Sequence, residues 1–268
     1  MWPKSMLAQG YRVAGAREIG ACANSLRAMA PTSIGEAGAA QAGCAPAREE
    51  GALNRNVPVD NDTVTAMRLM VATDGDGFPP EKEWAAARPV QFDADWRGLN
   101  ADAERGTEVR LLWTPEILYL RFVARYRSIT VFPDADARGW RNWLWERDVC
   151  EVFLQPDPAD SRRYKEFEVA PNGFWIDLGI GPGEKHDLQS GMRRRVRMDE
   201  PARQWTAVVA LPMKSLTGRF DPAAAWRVNF FRVEGAGEPR FYSAWRATRT
   251  PEPNFHVPEA FGRLVFEE

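Results

Sequence analysis

The chain has 268 residues, of which 44% are hydrophobic and 27% charged, a composition typical of a soluble globular protein with one large domain or two small ones. Its charges sum to 35 − 37 = −2, so no net positive field attracts nucleic acid or an anionic membrane surface. No window approaches the roughly 18 consecutive apolar residues of a membrane-spanning helix, and we expect neither a nucleic-acid partner nor a membrane span.

Residues 1–62 differ in composition from the rest of the chain. They are rich in Ala, Gly and Glu and contain few large apolar side chains, so burial cannot offset the entropy of ordering them. We expect a disordered leader over 1–62 and a folded domain over 63–268. The leader shows no apolar stretch of the kind found in a standard signal peptide, so the sequence leaves the cellular compartment open.

Short runs of alternating apolar residues, separated by turn signals, follow one another from residue 67 onward. One or two helical turns are predicted at 81–87, with Trp84 facing inward. Because long helices and β-α-β spacing are lacking in this pattern, we predict an all-β fold, an antiparallel β-sandwich of the jelly-roll or immunoglobulin-like type. An alternating run at 67–71 precedes about ten predicted strands, at 108–113, 118–125, 148–154, 163–169, 174–178, 192–198, 205–211, 226–233, 240–245 and 263–266.

The most informative stretch is 143–154, where two tryptophans lead into a strand that carries a carboxylate. Glu151 shares a strand face with Val149 and Phe153, so it interrupts an otherwise apolar surface. A carboxylate in that position must be paired or hydrogen-bonded, either to an arginine or to a ligand. Aromatic rings cover the C–H faces of sugars and carboxylates bind their hydroxyls, so the combination favours a sugar site.

A second carboxylate group lies on the predicted strand at 163–169. Tyr164, Glu166 and Glu168 share one face, and the two glutamates are about 6.5–7 Å apart along the strand. That separation falls within the range of an inverting glycosidase pair, but side chains on one strand stand side by side and do not flank a scissile bond. Sugar or cation contacts are therefore the favoured interpretation.

Other motifs carry weaker functional signals. The arginines of 193–197 alternate with apolar residues, which predicts a half-buried strand with a charged edge. Asp74 and Asp76 flank a glycine and are candidate Ca²⁺ ligands, although the full EF-hand spacing is absent. Cys150 is predicted to be a buried free thiol, since the three cysteines show no metal or redox spacing.

The ordered set of motifs from residue 67 to the C-terminus resembles the family 9 carbohydrate-binding modules and their relatives in the DOMON-like β-sandwich group. No single motif is diagnostic, but their order is specific. The matching elements are 109–113 with 118–120, 145–148 with 151–153, 166–169, 172–173, Trp205 with 211–212, 226–229, Ser243 with Trp245, and 261–262.

The resemblance implies a site in which two aromatic rings sandwich a terminal sugar. By position in the motifs, Trp145 is similar to the first ring and Phe255 to the second, where the family typically carries Trp. Glu151 is implied as the polar anchor, with Asn254 beside the second ring and Arg232 as a further polar contact.

One departure from the family changes the chemistry that the site would recognise. Glu168 stands where sugar-binding members carry an arginine. Replacing a cation with an anion alters the hydroxyl geometry or the ligand charge that is accepted.

The implied function is non-catalytic binding of a mono- or oligosaccharide, in the service of carbohydrate breakdown and beside a glycoside hydrolase. The family's usual role implies export. One alternative is a glycoside hydrolase that uses Glu151 with Glu166 or Glu168. Another is a DOMON-type haem or redox protein, which is disfavoured because the chain has only two histidines, His186 and His256.

Overall fold

A computed structural model describes residues 62–268 of the chain, so the predicted leader, apart from Asp62, lies outside the described residues. Strands dominate this range, accompanied by one short helix and several 3-10 turns, which confirms the all-β prediction. The strands are β1 Thr63–Arg68, β2 Val90–Phe92, β3 Thr107–Trp113, β4 Ile117–Arg125, β5 Val149–Gln155, β6 Tyr164–Val169, β7 Trp175–Gly181, β8 Glu184–Asp187, β9 Arg193–Asp199, β10 Gln204–Pro212, β11 Trp226–Glu234, β12 Phe241–Ala244 and β13 Gly262–Glu267, and the helix is α1 Met213–Leu216.

The strands form one large curled sheet in the order β8-β7-β6-β5-β11-β13-β1-β3-β4-β10-β9, with β12 added to β11 and β2 to β3. The two ends of this order provide the two layers of a sandwich, because one buried cluster joins apolar side chains from both. Val152 and Phe230 come from one half, and Leu120, Trp205 and Val209 come from the other. Because successive side chains on a strand point to opposite faces, these residues face the interior of the sandwich and their neighbours face outward, where they pack in a second, outer layer.

The first strand departs from the predicted antiparallel pattern. β1 pairs in parallel with β13, placing Thr63 opposite Arg263, and also in parallel with β3, placing Ala66 opposite Leu111. A period of two residues is common to both kinds of pairing, so the sequence pattern does not reveal which one a strand adopts.

Three strands were missed by the sequence analysis, β1, β2 and β8, since the alternating run at 67–71 overlaps β1 only at residues 67 and 68. β2 has only three residues, and β8 consists of the four polar residues Glu-Lys-His-Asp, so neither shows an apolar alternation. The turn signal before β8, Gly-Pro-Gly at 181–183, marks it as the return strand of a hairpin with β7. Trp84 is buried in a 3-10 turn at Glu81–Ala85, as predicted.

The arginine-rich run forms β9, at one end of the sheet order. Arg193, Arg195 and Arg197 are exposed while the residues between them are half-buried, which confirms the predicted charged edge. Arg195 donates to Asp74 at 2.8 Å and lies 3.8 Å from Asp76, so both candidate Ca²⁺ ligands have a cationic side chain beside them.

Cys150 is a buried free thiol, as predicted, and burial raises its pKa to about 12. No helix within 62–268 is both long and apolar enough to cross a bilayer.

Gly262 lies where β13 passes close to two neighbouring groups. A Cβ at this position would stand 2.6 Å from the Trp245 ring and 2.7 Å from the Asp62 carbonyl oxygen. We therefore expect Gly262→Ala to lower the free energy of unfolding by about 1–3 kcal/mol, because a packed ring and the backbone must shift. Gly218→Ala is the matched control, since Gly218 is exposed and a Cβ there meets nothing within 4 Å. Urea denaturation would measure both, and equal stability of the two variants would contradict the expectation.

Candidate functional site

Three glutamates share the outer face of the half-sandwich that contains β5, β6 and β11. Glu151 on β5 stands directly opposite Glu168 on β6, and Glu166 on β6 stands opposite Phe153. Directly opposed residues have Cβ atoms about 4.5–5.5 Å apart, so the carboxyls of Glu151 and Glu168 are close neighbours. The same face continues onto β11, where Phe231 lies opposite Glu151.

These carboxyls are almost completely removed from solvent. The exposed fractions are 2% for Glu151, 2% for Glu166 and 1% for Glu168, because a second apolar layer covers the face. Within the described residues, one oxygen of Glu151, one of Glu166 and both of Glu168 have no partner with hydrogen-bond geometry. Buried polar atoms without partners are costly, which marks this face as one suited to a polar ligand.

The three carboxyls differ in their protonation behaviour. Burial, followed by the charge of Glu166, raises the pKa of Glu151 well above its usual value. Burial, followed by the charges of Glu151 and Glu166, does the same to Glu168. Burial opposes ionisation of Glu166 most strongly, but the charges of Lys185 and His256 and the hydrogen bonds from Glu168 and Lys185 together outweigh it and lower the pKa of Glu166. The shifts favour the ionised form of Glu166 and the neutral forms of Glu151 and Glu168, and a neutral carboxyl donates as well as accepts hydrogen bonds.

Lys185 supplies the cation at this site. Its Nζ lies 3.4 Å from Glu166 Oε1 and 4.1 Å from the centroid of the Trp145 ring. The side chain reaches the site from β8, the strand that the sequence analysis missed, so the lysine was not among the predicted site residues.

Trp145 is presented by a single 3-10 turn, Leu144–Glu146, directly before β5. Leu144 is fully buried and anchors the turn, and Trp143 before it adopts a left-handed backbone with φ of 61°. A non-glycine residue in that region is costly and persists only when its surroundings enforce it. The rings of Trp143 and Trp145 are 5.3 Å apart and tilted by 51°, so the two indoles support each other beside the carboxyls.

Phe255 and Asn254 belong to the loop between β12 and β13. Phe255 is only 8% exposed, and its ring stacks on Phe231 at 4.2 Å and meets Tyr242 edge-on at 6.1 Å. One face of the predicted second ring is therefore covered by the core. Asn254 accepts a hydrogen bond from the backbone N–H of His256 at 3.0 Å, which shapes the loop.

His256 closes the other side of the glutamate face. Its Nδ1 lies 2.7 Å from the Tyr164 hydroxyl, and its ring lies 5.3 Å from that of Phe153. Desolvation by the surrounding groups lowers the pKa of His256, against the opposing charge of Glu166. This loop histidine is thus in contact with the strand that carries Glu166.

The structure does not bring Arg232 to this site. Arg232 pairs with Cys150 and points to the inner face, where it is 0% exposed and lies 5.5 Å from the Trp205 ring. Its Nη2 lies 3.3 Å from Glu234 and 3.9 Å from Asp148. A shift of one residue along a strand moves a side chain to the opposite face of the sheet. The role of Arg232 could therefore not be assigned from its strand position alone.

Burial also shifts the pKa of Asp148, one of the acidic partners of Arg232. Burial raises the pKa of Asp148 to about 6, against the opposing influence of Arg232 and the backbone N–H of Gly235. Arg232 also donates to the carbonyl of Val233. Arg232 is therefore a buried structural charge within the sandwich.

Open cavities on the described part of the chain are lined by residues other than the three glutamates. One, of about 900 Å³, is lined by Trp245, Arg227 and Arg263 among others, and one of about 500 Å³ lies beside Tyr126 and Arg203. None of the six residues predicted for the sugar site lines either cavity. Among the described residues, no three His, Cys, Asp or Glu side chains have the geometry of a metal site.

Comparison with known proteins yields distant relatives. No family model matches the sequence. The chain is 23% identical over 177 residues to an "Extracellular protein" of Arthroderma benhamiae, a match that covers 60% of this chain and 78% of that protein.

Solved structures show the fold more clearly. A protein of Bacteroides uniformis, provisionally described as carbohydrate-binding, superposes with a TM-score of 0.62 at 18% identity, covering 77% of this chain and 99% of its own. A family 9 carbohydrate-binding module of Caldicellulosiruptor kristjanssonii, in complex with cellotriose, superposes with a TM-score of 0.56 at 12% identity, covering 76% and 93%. The domain therefore has a carbohydrate-binding-module-like fold, as the ordered motifs indicated.

Replacing Arg232 tests its structural role. Arg232→Ala leaves Asp148 and Glu234 buried without their shared cation, so we expect a loss of about 3–5 kcal/mol in the free energy of unfolding. Arg125→Ala, at an exposed arginine, is the control and should change stability little. Urea denaturation of both variants gives the comparison, and similar small losses in the two would refute the assignment.

The raised pKa of Glu168 predicts a pH dependence of stability. Because burial places the folded-state pKa of Glu168 above its usual value of 4.5, the contribution of Glu168 to stability is complete below that pH and is lost as the pH rises through the folded-state pKa. Glu168→Gln mimics the neutral carboxyl and should flatten this decline. Glu252→Gln, at an exposed loop residue, should leave the profile unchanged. Denaturation midpoints measured from pH 4 upward decide the matter; an unaltered decline in Glu168→Gln would show that Glu168 does not contribute.

Proposed function

We propose that this protein binds a mono- or oligosaccharide without catalysing its conversion, at the face that carries Trp145, Glu151, Glu166 and Glu168. One observation carries the proposal: the Lys185 ammonium joins the Trp145 ring to Glu166, which shares one face of a carbohydrate-binding-module-like fold with two further buried carboxyls that have unpartnered oxygens. The ring suits the C–H face of a sugar, and the carboxyls suit its hydroxyls.

The protonation pattern supports a ligand rich in hydroxyl groups. Raised pKa values favour the neutral forms of Glu151 and Glu168, and the lowered pKa of Glu166, to which Lys185 contributes, favours its ionised form. A neutral carboxyl donates one hydrogen bond and accepts others, and a carboxylate only accepts. Sugar hydroxyls do both, so the three groups are chemically complementary to them.

Structures with this fold hold sugars. The family 9 module of Caldicellulosiruptor kristjanssonii was solved in complex with cellotriose, and also with glucose at a TM-score of 0.55 and 12% identity to this chain. These complexes support a saccharide ligand for the present protein.

The proposed site differs from the predicted one in two respects. Phe231 covers one face of the Phe255 ring, so Phe255 contacts the sugar with its edge. Trp145 therefore provides the main surface on which the sugar stacks. Arg232 is replaced as the local cation by Lys185, which contacts both Trp145 and Glu166. Asn254 shapes the loop that carries Phe255.

Binding is favoured over glycoside hydrolysis by the arrangement of the carboxyls. Glu151 and Glu168 are directly opposed on neighbouring strands, and Glu166 follows on the same face. Hydrolysis needs two carboxyl groups on opposite sides of the scissile bond. Side-by-side groups instead read neighbouring hydroxyls on one side of a sugar.

Within this proposal the protein serves carbohydrate breakdown beside a glycoside hydrolase, outside the cell, as the resemblance to family 9 modules implies. The relationship to the DOMON-like group is part of the same proposal. The haem alternative gains no support from His256, whose Nδ1 is engaged by the Tyr164 hydroxyl.

Calorimetric titration of the full-length protein with a panel of neutral sugars, including glucose and cellotriose, tests the proposal. We expect binding that Trp145→Ala weakens at least about tenfold, or about 1.4 kcal/mol, because the stacking surface is lost. Tyr126→Ala is the matched control, since Tyr126 is a partly exposed aromatic residue beside the remote 500 Å³ cavity.

Each contrary result has a distinct meaning. Binding that is lost in Tyr126→Ala but kept in Trp145→Ala would move the sugar site to that cavity. Failure of the folded protein to bind any sugar of the panel would reject carbohydrate binding. Release of aryl alcohol from an aryl glycoside, lost in Glu151→Gln, would establish the hydrolase alternative.

A further inference from the structure

The contacts of Lys185 form a receptor for an ammonium group. Nζ lies over the Trp145 ring, 4.1 Å from its centroid, and 3.4 Å from the Glu166 carboxylate. An aromatic face combined with a carboxylate is the general means by which proteins bind organic cations. In this structure the cation comes from the protein's own side chain.

Lys185 is a partly exposed cation at the end of the sheet. Its side chain is 33% exposed, and it belongs to β8, the last strand at one end of the sheet order. The neighbouring Arg240 is held instead, since its Nη1 donates to the Trp145 carbonyl at 2.9 Å and its Nε lies 3.3 Å from Glu238. A long lysine stem on an edge strand swings away without disturbing the core.

A sugar that stacks on Trp145 must compete with Lys185 for the ring. Trp143 packs against the indole at 5.3 Å with a tilt of 51°, and the Lys185 ammonium lies over it. A sugar ring that takes the place of the ammonium therefore separates Lys185 from Glu166.

That displacement has an electrostatic consequence. Glu166 is 2% exposed, so loss of Lys185 leaves a buried carboxylate without a counter-charge. Removing one partner of a buried ion pair is far more costly than never forming the pair. Binding of a neutral sugar leaves Glu166 without a counter-charge and is weakened accordingly. A ligand with its own ammonium group forms a new ion pair with Glu166.

We propose that the site selects an amino sugar with a free, protonated amine, whose ammonium takes the place of the Lys185 ammonium between Trp145 and Glu166. This inference rests on the proposed carbohydrate binding at the same face. The sugar ring then stacks on the indole while its amine pairs with the carboxylate. Acetylation removes the charge and adds bulk, so an N-acetylated sugar is discriminated against.

The remaining carboxyls fit the other groups of such a ligand. A neutral Glu168 donates one hydrogen bond to Glu166, while its other oxygen and one of Glu151 have no partner in the described part of the chain, and both side chains are at least nine-tenths buried. They are directly opposed across β5 and β6, so they present adjacent groups to the hydroxyls beside the amine. An arginine in place of Glu168 would repel that amine, which gives a physical meaning to the departure from the family pattern.

The experiment is a calorimetric titration of the full-length protein with glucosamine, glucose and N-acetylglucosamine, at a pH where the amine of glucosamine is protonated. We expect glucosamine to bind at least about tenfold more tightly than either of the other two. N-acetyl-lysinamide serves as an ammonium compound without a sugar ring and should bind more weakly than glucosamine.

Lys185→Met tests the competition directly, because methionine keeps an apolar stem and removes the internal ammonium. It should strengthen glucosamine binding by about tenfold and leave glucosamine preferred over glucose. Lys214→Met is the matched control, since Lys214 is exposed on α1, and it should change neither affinity. The selectivity of the unmodified protein remains decisive if Lys185→Met fails to fold.

The outcomes separate this inference from the proposed function. Tight glucosamine binding that depends on Trp145 supports both. Equal binding of glucose and glucosamine through Trp145 overturns the amino-sugar inference and retains carbohydrate binding. N-acetyl-lysinamide that binds as tightly as glucosamine overturns the sugar class in favour of a lysine-bearing ligand, and absence of binding to every sugar overturns both.

Discussion

Strands β5, β6 and β11 are covered on both faces, and this double burial is the constraint on which the rest of the structure depends. Every residue of β5 is buried, although Glu151 and Gln155 are polar. Alternation therefore sends polar groups into two separate buried environments, one between the sandwich layers and one beneath the outer loops. A polar group buried in either environment is costly unless it forms a hydrogen bond.

The two environments meet this requirement in different ways. On the inner face, Arg232 lies between Glu234 and Asp148 and forms ion pairs with both, although Asp148 Oδ2 and Arg232 Nε have no hydrogen-bond partner within residues 62–268. On the outer face, Lys185 pairs with Glu166, and four oxygens of the three carboxyls have no partner in the described range. The inner acids thus have a buried cation between them, whereas the outer carboxyls share a face whose cation comes from the partly exposed Lys185.

The loops over the outer face explain why the site combines order with access. A short turn with a left-handed residue at 143 fixes Trp145, and the loop with Asn254 at its bend fixes Phe255 against Phe231. Lys185, by contrast, comes from a four-residue edge strand and is one-third exposed. The packed rings of Trp145 and Phe255 thus lie in ordered loops, and the cation beside Trp145 belongs to a partly exposed lysine. In such an arrangement a ligand binds by displacing the lysine and does not enter an open cavity. In this respect the site differs from the two open cavities elsewhere on the domain.

The sequence by itself determined the strand pattern, the all-β class, the buried thiol, the charged edge strand and the carboxylates that share a face with apolar residues. These properties follow from a period of two residues, which is local. It did not determine the parallel pairing of β1, the strand β8 or the side of the sheet to which Arg232 points. Pairing direction leaves no trace in alternation, and four polar residues carry no strand signal. A displacement by one residue also reverses a side chain's face. Only the tertiary structure placed Lys185 over Trp145, since that contact joins segments 40 residues apart through the curl of the sheet and depends on no local pattern.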